Sequence, residues 1–180
     1  MKKILAFTGS NSSNSINKKL LQIAINEIEE NSNFQVSFID IDELSFPIYS
    51  LDEEKNGFPE TVKEVYKAFT NSDAFLISSP EHNGLPSAFL KNIIDWLSRI
   101  EQPFFNNKSV FLLSTSPGKN GGNSHLILLE KFIPMWGGKS TTSFSLGNFF
   151  ENYDEEKKTI TDKTLKVELQ KLLNEFIKSI

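Results

Sequence analysis

The stretch Ile4-Leu5-Ala6-Phe7-Thr8-Gly9-Ser10-Asn11-Ser12-Ser13-Asn14-Ser15-Ile16-Asn17 decides how the rest of the chain reads. Its first residues form an unbroken apolar run, the pattern of a strand covered on both faces. The run stops at Gly9-Ser10, and an amphipathic pattern through Leu21, Ala24, Ile25 and Ile28 follows. A doubly buried strand that passes through a small-residue loop into a helix is the start of an α/β unit.

The same succession recurs. Ala74–Ser78 ends at Ser79-Pro80, and Val110–Ser114 ends near Pro117-Gly118. Phe34–Phe38 and Thr142–Leu146 alternate apolar with polar residues, which fits strands at the edges of a sheet. Helical spacing appears at Val62, Val65, Tyr66 and Phe69 after Pro59, and again at Leu90, Ile93, Ile94 and Leu97. Two further helices are expected at 124–135 and over Leu165 to Ile180. The expected fold is therefore α/β, a five-stranded, doubly wound parallel sheet of order 2-1-3-4-5 with helices on both faces, the flavodoxin-like arrangement. Residues 1–180 are expected to form one domain, since a chain of this length suits one ordinary core.

Composition excludes several chemistries. With no cysteine, disulfides, iron–sulfur clusters, thiol nucleophiles and thiolate zinc sites are all ruled out. The two histidines, His82 and His125, are too few for a histidine-rich metal site, and no metal is expected. The formal charge of −4 argues against a nucleic-acid footprint. Apolar runs are too short for a transmembrane helix, and Met1-Lys2-Lys3 leads straight into Ile4 without a signal-peptide pattern. A cytoplasmic location without membrane contact is expected. Arg99 is the single arginine, so an anion site must manage almost without guanidinium groups.

Ligands of doubly wound sheets bind beyond the C-terminal strand ends. Three loops fall there. Residues 9–17 offer successive N–H groups, the hydroxyls of Ser10, Ser12, Ser13 and Ser15, and a helix N-terminus through Ile16 and Asn17, a donor set for phosphate. The loop lacks both the Walker and the G-x-G-x-x-G pattern, and an ordinary N-cap cluster is the bland alternative. Residues 79–87, with Pro80, Glu81, His82, Asn83 and Gly84, suit the edge of a flat heterocycle, or equally a turn in which Ser87 caps the next helix. Residues 115–123, with Thr115, Ser116, Pro117 and Gly118, line the same volume or form an ordinary glycine-rich loop.

Together these loops resemble the NADPH-dependent FMN reductase family, flavodoxin-like proteins that include quinone, chromate and azo-dye reductases. The resemblance rests on Gly9-Ser10…Ser15-Ile16-Asn17, on Pro80-Glu81-His82-Asn83-Gly84 followed by Leu90-Lys91-Asn92-Ile93-Ile94-Asp95-Trp96, and on Ser114 to Gly122. It implies FMN as cofactor and NAD(P)H as co-substrate. Ser10, Ser15 and Asn17 then correspond to phosphate ligands, Pro80 to Asn83 to the flavin-ring loop, and Ser116 to Gly118 to the opposite wall. It also implies hydride passed from nicotinamide to FMN and on to a small acceptor in ping-pong order, and a homodimer or homotetramer. Two positions depart from the family pattern: Ser12 stands for the usual Arg, and His82 for the usual Tyr.

Other residues are read more plainly. His82 is a shape or stacking residue with at most a minor proton-donating role, so no catalytic side chain is named. Glu81 orients its loop, Asp95 lies on a helix surface, and Asp95–Arg99 form an i, i+4 pair. His125 is expected to be solvated. Trp96 and Trp136 are core or interface residues. The long connection 40–58 carries Leu44, Phe46, Ile48, Tyr49 and Leu51 and serves as an active-site rim, a partner surface or cover for the sheet end. Two rival functions stay open: a flavodoxin-type electron carrier and a flavin-binding domain without reductase activity.

Overall fold

The computed structural model describes residues 1–31, 34–41, 44 and 46–180. Five parallel strands form the sheet: β1 (Lys3–Thr8), β2 (Gln35–Ile39), β3 (Ala74–Ser78), β6 (Lys108–Thr115) and β7 (Gly138–Leu146), in the order β2-β1-β3-β6-β7. Every neighbouring pair is parallel, with Ile4 opposite Val36 and Ala74, and Phe75 opposite Val110. The alternating segments are the edges, as their one-sided patterning requires. β2 leaves Phe38 exposed, whereas β1 buries everything after Lys3.

Alternate residues of the central strands feed two cores. Ile4, Ala6, Leu76, Phe111 and Leu113 pack under α1 (Ile16–Asn31) and α7 (Lys163–Ser179) through Leu20, Ala24, Ile28, Leu169, Leu173 and Phe176. Leu5, Phe7, Phe75, Ile77 and Leu112 face α3 (Glu60–Thr70), α4 (Ala88–Ile100) and α5 (Asn123–Phe132). There Phe69 stacks obliquely on Phe75 with centroids 4.6 Å apart, and Phe104 meets Phe105 at 4.7 Å. Burying an aromatic side chain of this kind contributes roughly 1.5–3 kcal/mol.

Several elements differ from the sequence expectation. The helix expected at 124–135 ends at Phe132, and Gly137 at φ +92° carries the turn into β7. The connection 40–58, whose residues 42, 43 and 45 lie outside the described set, contains a short helix α2 (Leu51–Lys55) capped by Ser50. Residues 149–160 form a further short helix α6 (Phe149–Asn152) and a hairpin, β8 (Tyr153–Asp154) with β9 (Thr159–Ile160).

The strap 46–58 is fastened to α4. The Pro47 carbonyl accepts from Asn92 Nδ2 at 3.0 Å and from Trp96 Nε1 at 2.9 Å, and Asn92 Oδ1 accepts from the Tyr49 amide at 2.8 Å. Trp96 is fully buried, with Tyr49 edge-on to it at 5.2 Å, while Trp136 is only partly buried. Arg99 does not pair with Asp95. It reaches Glu54 of α2 at 3.0 Å, and Asp95 pairs with Lys91 on its own helix. An i, i+4 spacing allows a pair, but the strap delivers a carboxylate that Arg99 meets at bonding distance.

Candidate functional site

The C-terminal ends of β1, β3 and β6 lie side by side, so the loops that follow them converge. Polar side chains tie the three together. Asn17 is buried at the start of α1. Its Oδ1 accepts from the Thr115 amide at 3.0 Å and from Ser78 Oγ at 3.3 Å, and its Nδ2 donates to the Thr115 carbonyl at 3.1 Å. Ser87 Oγ donates to the Gly9 carbonyl and accepts from the Leu90 amide at 3.0 Å, so it caps α4 and anchors the first loop at once. Gly9 permits this approach: a Cβ there would lie 2.8 Å from Leu90 Cβ.

Residues 10–17 leave a donor set unspent. Ser12 N–H donates to Ser10 Oγ, Ser15 N–H to the Ser12 carbonyl, and Lys18 N–H to Ser15 Oγ. Among the described residues, the amides of Asn11, Ser13, Asn14, Ile16 and Asn17 make no hydrogen bond to another protein group. Amides at a helix start call for an anion. The lysines next to this loop are engaged with carboxylates: Lys18 with Asp40, and Lys19 with Glu155 at 2.7 Å. Ser10 and Ser15 are buried in the loop wall, whereas Ser12 and Ser13 are exposed.

The second loop is a hairpin, not a plain turn. β4 (Glu81–His82) pairs with β5 (Leu85–Pro86) around Asn83 at φ +55° and Gly84 at φ +79°. Two successive left-handed residues make the tight turn that Asn-Gly favours, and that dipeptide was the signal for the hairpin. The turn exposes His82 and Asn83 and leaves Pro80 and Glu81 partly covered.

The third loop closes against the second. Gly121 and Gly122 both take left-handed conformations, at φ +60° and +81°, and Gly122 is the N-cap of α5. A Cβ on Gly122 would sit 2.1 Å from Ser114 Oγ, so only glycine fits. Glycine brings no capping side chain. Glu81 supplies one from the hairpin, its Oε2 accepting from the His125 amide at 3.0 Å. Glu81 thus orients its loop, as expected. His125 corrects the expectation of a solvated side chain: it is completely buried. Its Nδ1 lies 2.6 Å from the Gly122 carbonyl, and burial pushes its pKa below the ordinary value despite Glu81 nearby.

The third-loop backbone is braced from the other side. Ser116 carbonyl accepts from Phe149 N–H at 3.1 Å and Gly118 carbonyl from Asn148 N–H at 3.0 Å, while Ser116, Pro117 and Gly118 remain accessible. Phe150, next to that brace, is 72% exposed. In sequence, Phe149, Phe150 and Tyr153 raise the same choice as the 40–58 connection, a partner surface, an active-site rim or packing in cis; the fold buries Phe149, half-covers Tyr153 and leaves Phe150 outside.

Residues 2–151 match the model of the NADPH-dependent FMN reductase family. The chain belongs to that family. Within it, an NADPH:quinone oxidoreductase of Arabidopsis thaliana is 34% identical over 137 residues, covering 74% of this chain and 68% of that protein. An NAD(P)H-dependent FMN reductase of Pseudomonas aeruginosa is 33% identical over 119 residues, 66% of this chain and 62% of that one. The solved structure of an NAD(P)H:(acceptor) oxidoreductase from Paracoccus denitrificans superposes with a TM-score of 0.80, covering 99% of this chain and 97% of that one at 24% identity, a likeness of fold. The family's flavodoxin-like sheet is the one described above. At the C-terminal strand ends the unspent amides of Asn11, Ser13, Asn14, Ile16 and Asn17 and the two braced loops 81–86 and 115–122 therefore come together.

Proposed function

We propose that the chain is an FMN-dependent NAD(P)H oxidoreductase that passes electrons to a small acceptor such as a quinone, a flavin, an azo compound or a metal oxyanion. The observation that carries this is the set of unspent amides at Asn11, Ser13, Asn14, Ile16 and Asn17, in the loop that converges with the hairpin 81–86 and the turn 115–122. Family membership supports the same reading.

In this reading Ser10, Ser12, Ser13, Ser15, Ile16 and Asn17 hold the flavin phosphate through N–H and hydroxyl groups, with the helix dipole in place of a guanidinium. Asn17 contributes chiefly by joining its loop to Thr115, since both ends of its amide are already bonded there. Pro80, Glu81, His82, Asn83 and Gly84 present one wall to the ring. Thr115, Ser116, Pro117 and Gly118 present the other. FMN, when bound, would supply the hydride chemistry, and NAD(P)H and the acceptor would use the site in turn, the order expected of ping-pong kinetics. The protein contributes alignment and exclusion of water. His82, exposed on the hairpin, acts by shape or stacking, with at most a minor proton-donating role.

We further propose a single flavin-binding domain, located in the cytoplasm, working as a homodimer or homotetramer. Among the described residues no helix is long and apolar enough to cross a membrane. Ile48 and Leu51 on the strap and Leu85 on the hairpin are 84%, 65% and 56% exposed, apolar side chains suited to a second subunit.

The test is an FMN titration followed by fluorescence, then steady-state oxidation of NADH and NADPH with several acceptors. Saturable FMN binding and acceptor-dependent oxidation are expected. Binding without oxidation favours an electron carrier, and no binding defeats the reading.

A further inference from the structure

One buried titratable side chain has no part in the chemistry above. His125 lies wholly inside the protein, behind both loops assigned to the ring. The groups that face its Nδ1 are acceptors. Nδ1 is 2.6 Å from the Gly122 carbonyl and 3.7 Å from Glu81 Oε2, and the Ser79 carbonyl faces the ring as well. A contact of 2.6 Å between a ring nitrogen and a carbonyl needs a proton on the nitrogen. The proton is therefore on Nδ1, and Nε2, which has no hydrogen-bond partner, carries the lone pair. Full burial keeps the ring neutral at neutral pH, because Glu81 offsets only part of the desolvation.

That arrangement solves a local problem. Gly122 must be glycine because Ser114 occupies the space of a Cβ. Its left-handed backbone turns its carbonyl inward, where it needs a buried donor. His125 supplies the donor with its ring, while its own amide takes the Glu81 carboxylate from the hairpin. One residue thus bonds to the third loop through its side chain and to the second loop through its backbone.

We propose that the His125 ring, as the neutral Nδ1–H tautomer, is a positioning group that holds the Gly122 carbonyl and so fixes the end of the turn 115–122, the part of the flavin-ring wall that the His125 amide ties to Glu81 of the hairpin. The proposal rests on the flavin reading of the site. Asparagine places its Nδ2 where histidine carries Nδ1, whereas glutamine reaches toward Nε2 and leucine fills volume without a donor.

The experiment measures FMN dissociation constants of the wild type, His125→Asn, His125→Gln and His125→Leu by flavin fluorescence. Ring ¹⁵N–¹H correlation spectra of the wild-type protein near pH 7.5 give the tautomer. His125→Asn is expected within about threefold of wild type, with His125→Gln and His125→Leu weaker by about tenfold or more. The spectrum is expected to show the Nδ1–H form. An Nε2–H or charged ring, a leucine variant that binds like wild type, or an asparagine variant no better than leucine each overturns the proposal. If the leucine variant fails to fold, the asparagine–glutamine comparison and the spectrum still decide. Wild-type protein that binds no FMN overturns the flavin reading and this inference with it, while normal wild-type binding with an indifferent leucine variant overturns this inference alone.

Discussion

The two sides of the candidate site are built in opposite ways. On the side proposed for the flavin ring, the hairpin 81–86 and the turn 115–122 are bonded to each other and to the body of the protein by Glu81, His125 and Asn17. On the phosphate side, residues 11–14 are exposed, and their order comes from a few bonds within the loop. A flat heterocycle tolerates little misplacement of its wall, so buried polar bonds that fix one geometry are worth their desolvation there. A phosphate is a compact charge that accepts donors from many directions, and a loop of amides and hydroxyls adjusts to it. In the proposed reading the ring wall is already bonded in place, whereas the phosphate loop keeps amides free for its ligand.

The contrast breaks most readily at Gly122. Gly122→Ala adds left-handed backbone strain and a clash with Ser114, and should cost about 4 kcal/mol. Urea denaturation of the protein without added flavin measures it. Next comes Asn17→Leu, which leaves the buried Thr115 amide and carbonyl unpaired and should lower the unfolding free energy by about 3 kcal/mol. Both changes break packing or bonds already present between the loops and should be visible without any ligand.

Changes at the exposed residues 11–14 of the proposed phosphate loop should be visible only with ligand. Ser12→Arg returns a guanidinium to the loop and should tighten FMN binding about tenfold, with a steeper salt dependence and an unchanged melting temperature. Riboflavin, which lacks the phosphate, should gain nothing. An equal gain for riboflavin would place position 12 away from the phosphate.

The smallest effect is a pH dependence from His125. Its pKa is lowered in the folded state, so the unfolded chain takes up this proton first as pH falls below the ordinary value of 6.5. The stability linked to the neutral ring is therefore intact above that pH and declines below it. His125→Asn should show a flatter decline between pH 6.5 and 5 in thermal unfolding. Parallel curves would contradict a neutral buried ring.

Most of the framework was legible in the sequence because period and run length report burial of backbone segments. Ile4–Thr8, Ala74–Ser78 and Val110–Ser114 read as central strands, and the alternating segments as edges, with the observed order. Bonds that depend on tertiary juxtaposition were not legible. His125 sits at a helix start, where polar residues are usually solvated, and only the folded chain brings Glu81 and the Gly122 carbonyl to it. Arg99 had a local partner at the right spacing, yet Glu54, forty-five residues away in sequence, takes it. Among the named loop residues, Ser10, Ser15, Asn17, Glu81 and Thr115 are drawn into the walls of the converging loops, while Ser12, Ser13, His82 and Asn83 stay at the surface.

The fastening of the strap at Pro47 bears on how this sequence would age in evolution. Asn92 and Trp96 belong to the stretch that most distinguishes the chain, and their polar atoms go to the strap's backbone. A descendant that lost the proposed flavin contacts would still need Asn92, because removing it leaves the partly buried Tyr49 amide without its partner, and Trp96 would still be held to the strap by the same Pro47 carbonyl. The motif therefore diagnoses architecture, and the chemistry has to be diagnosed at the loops.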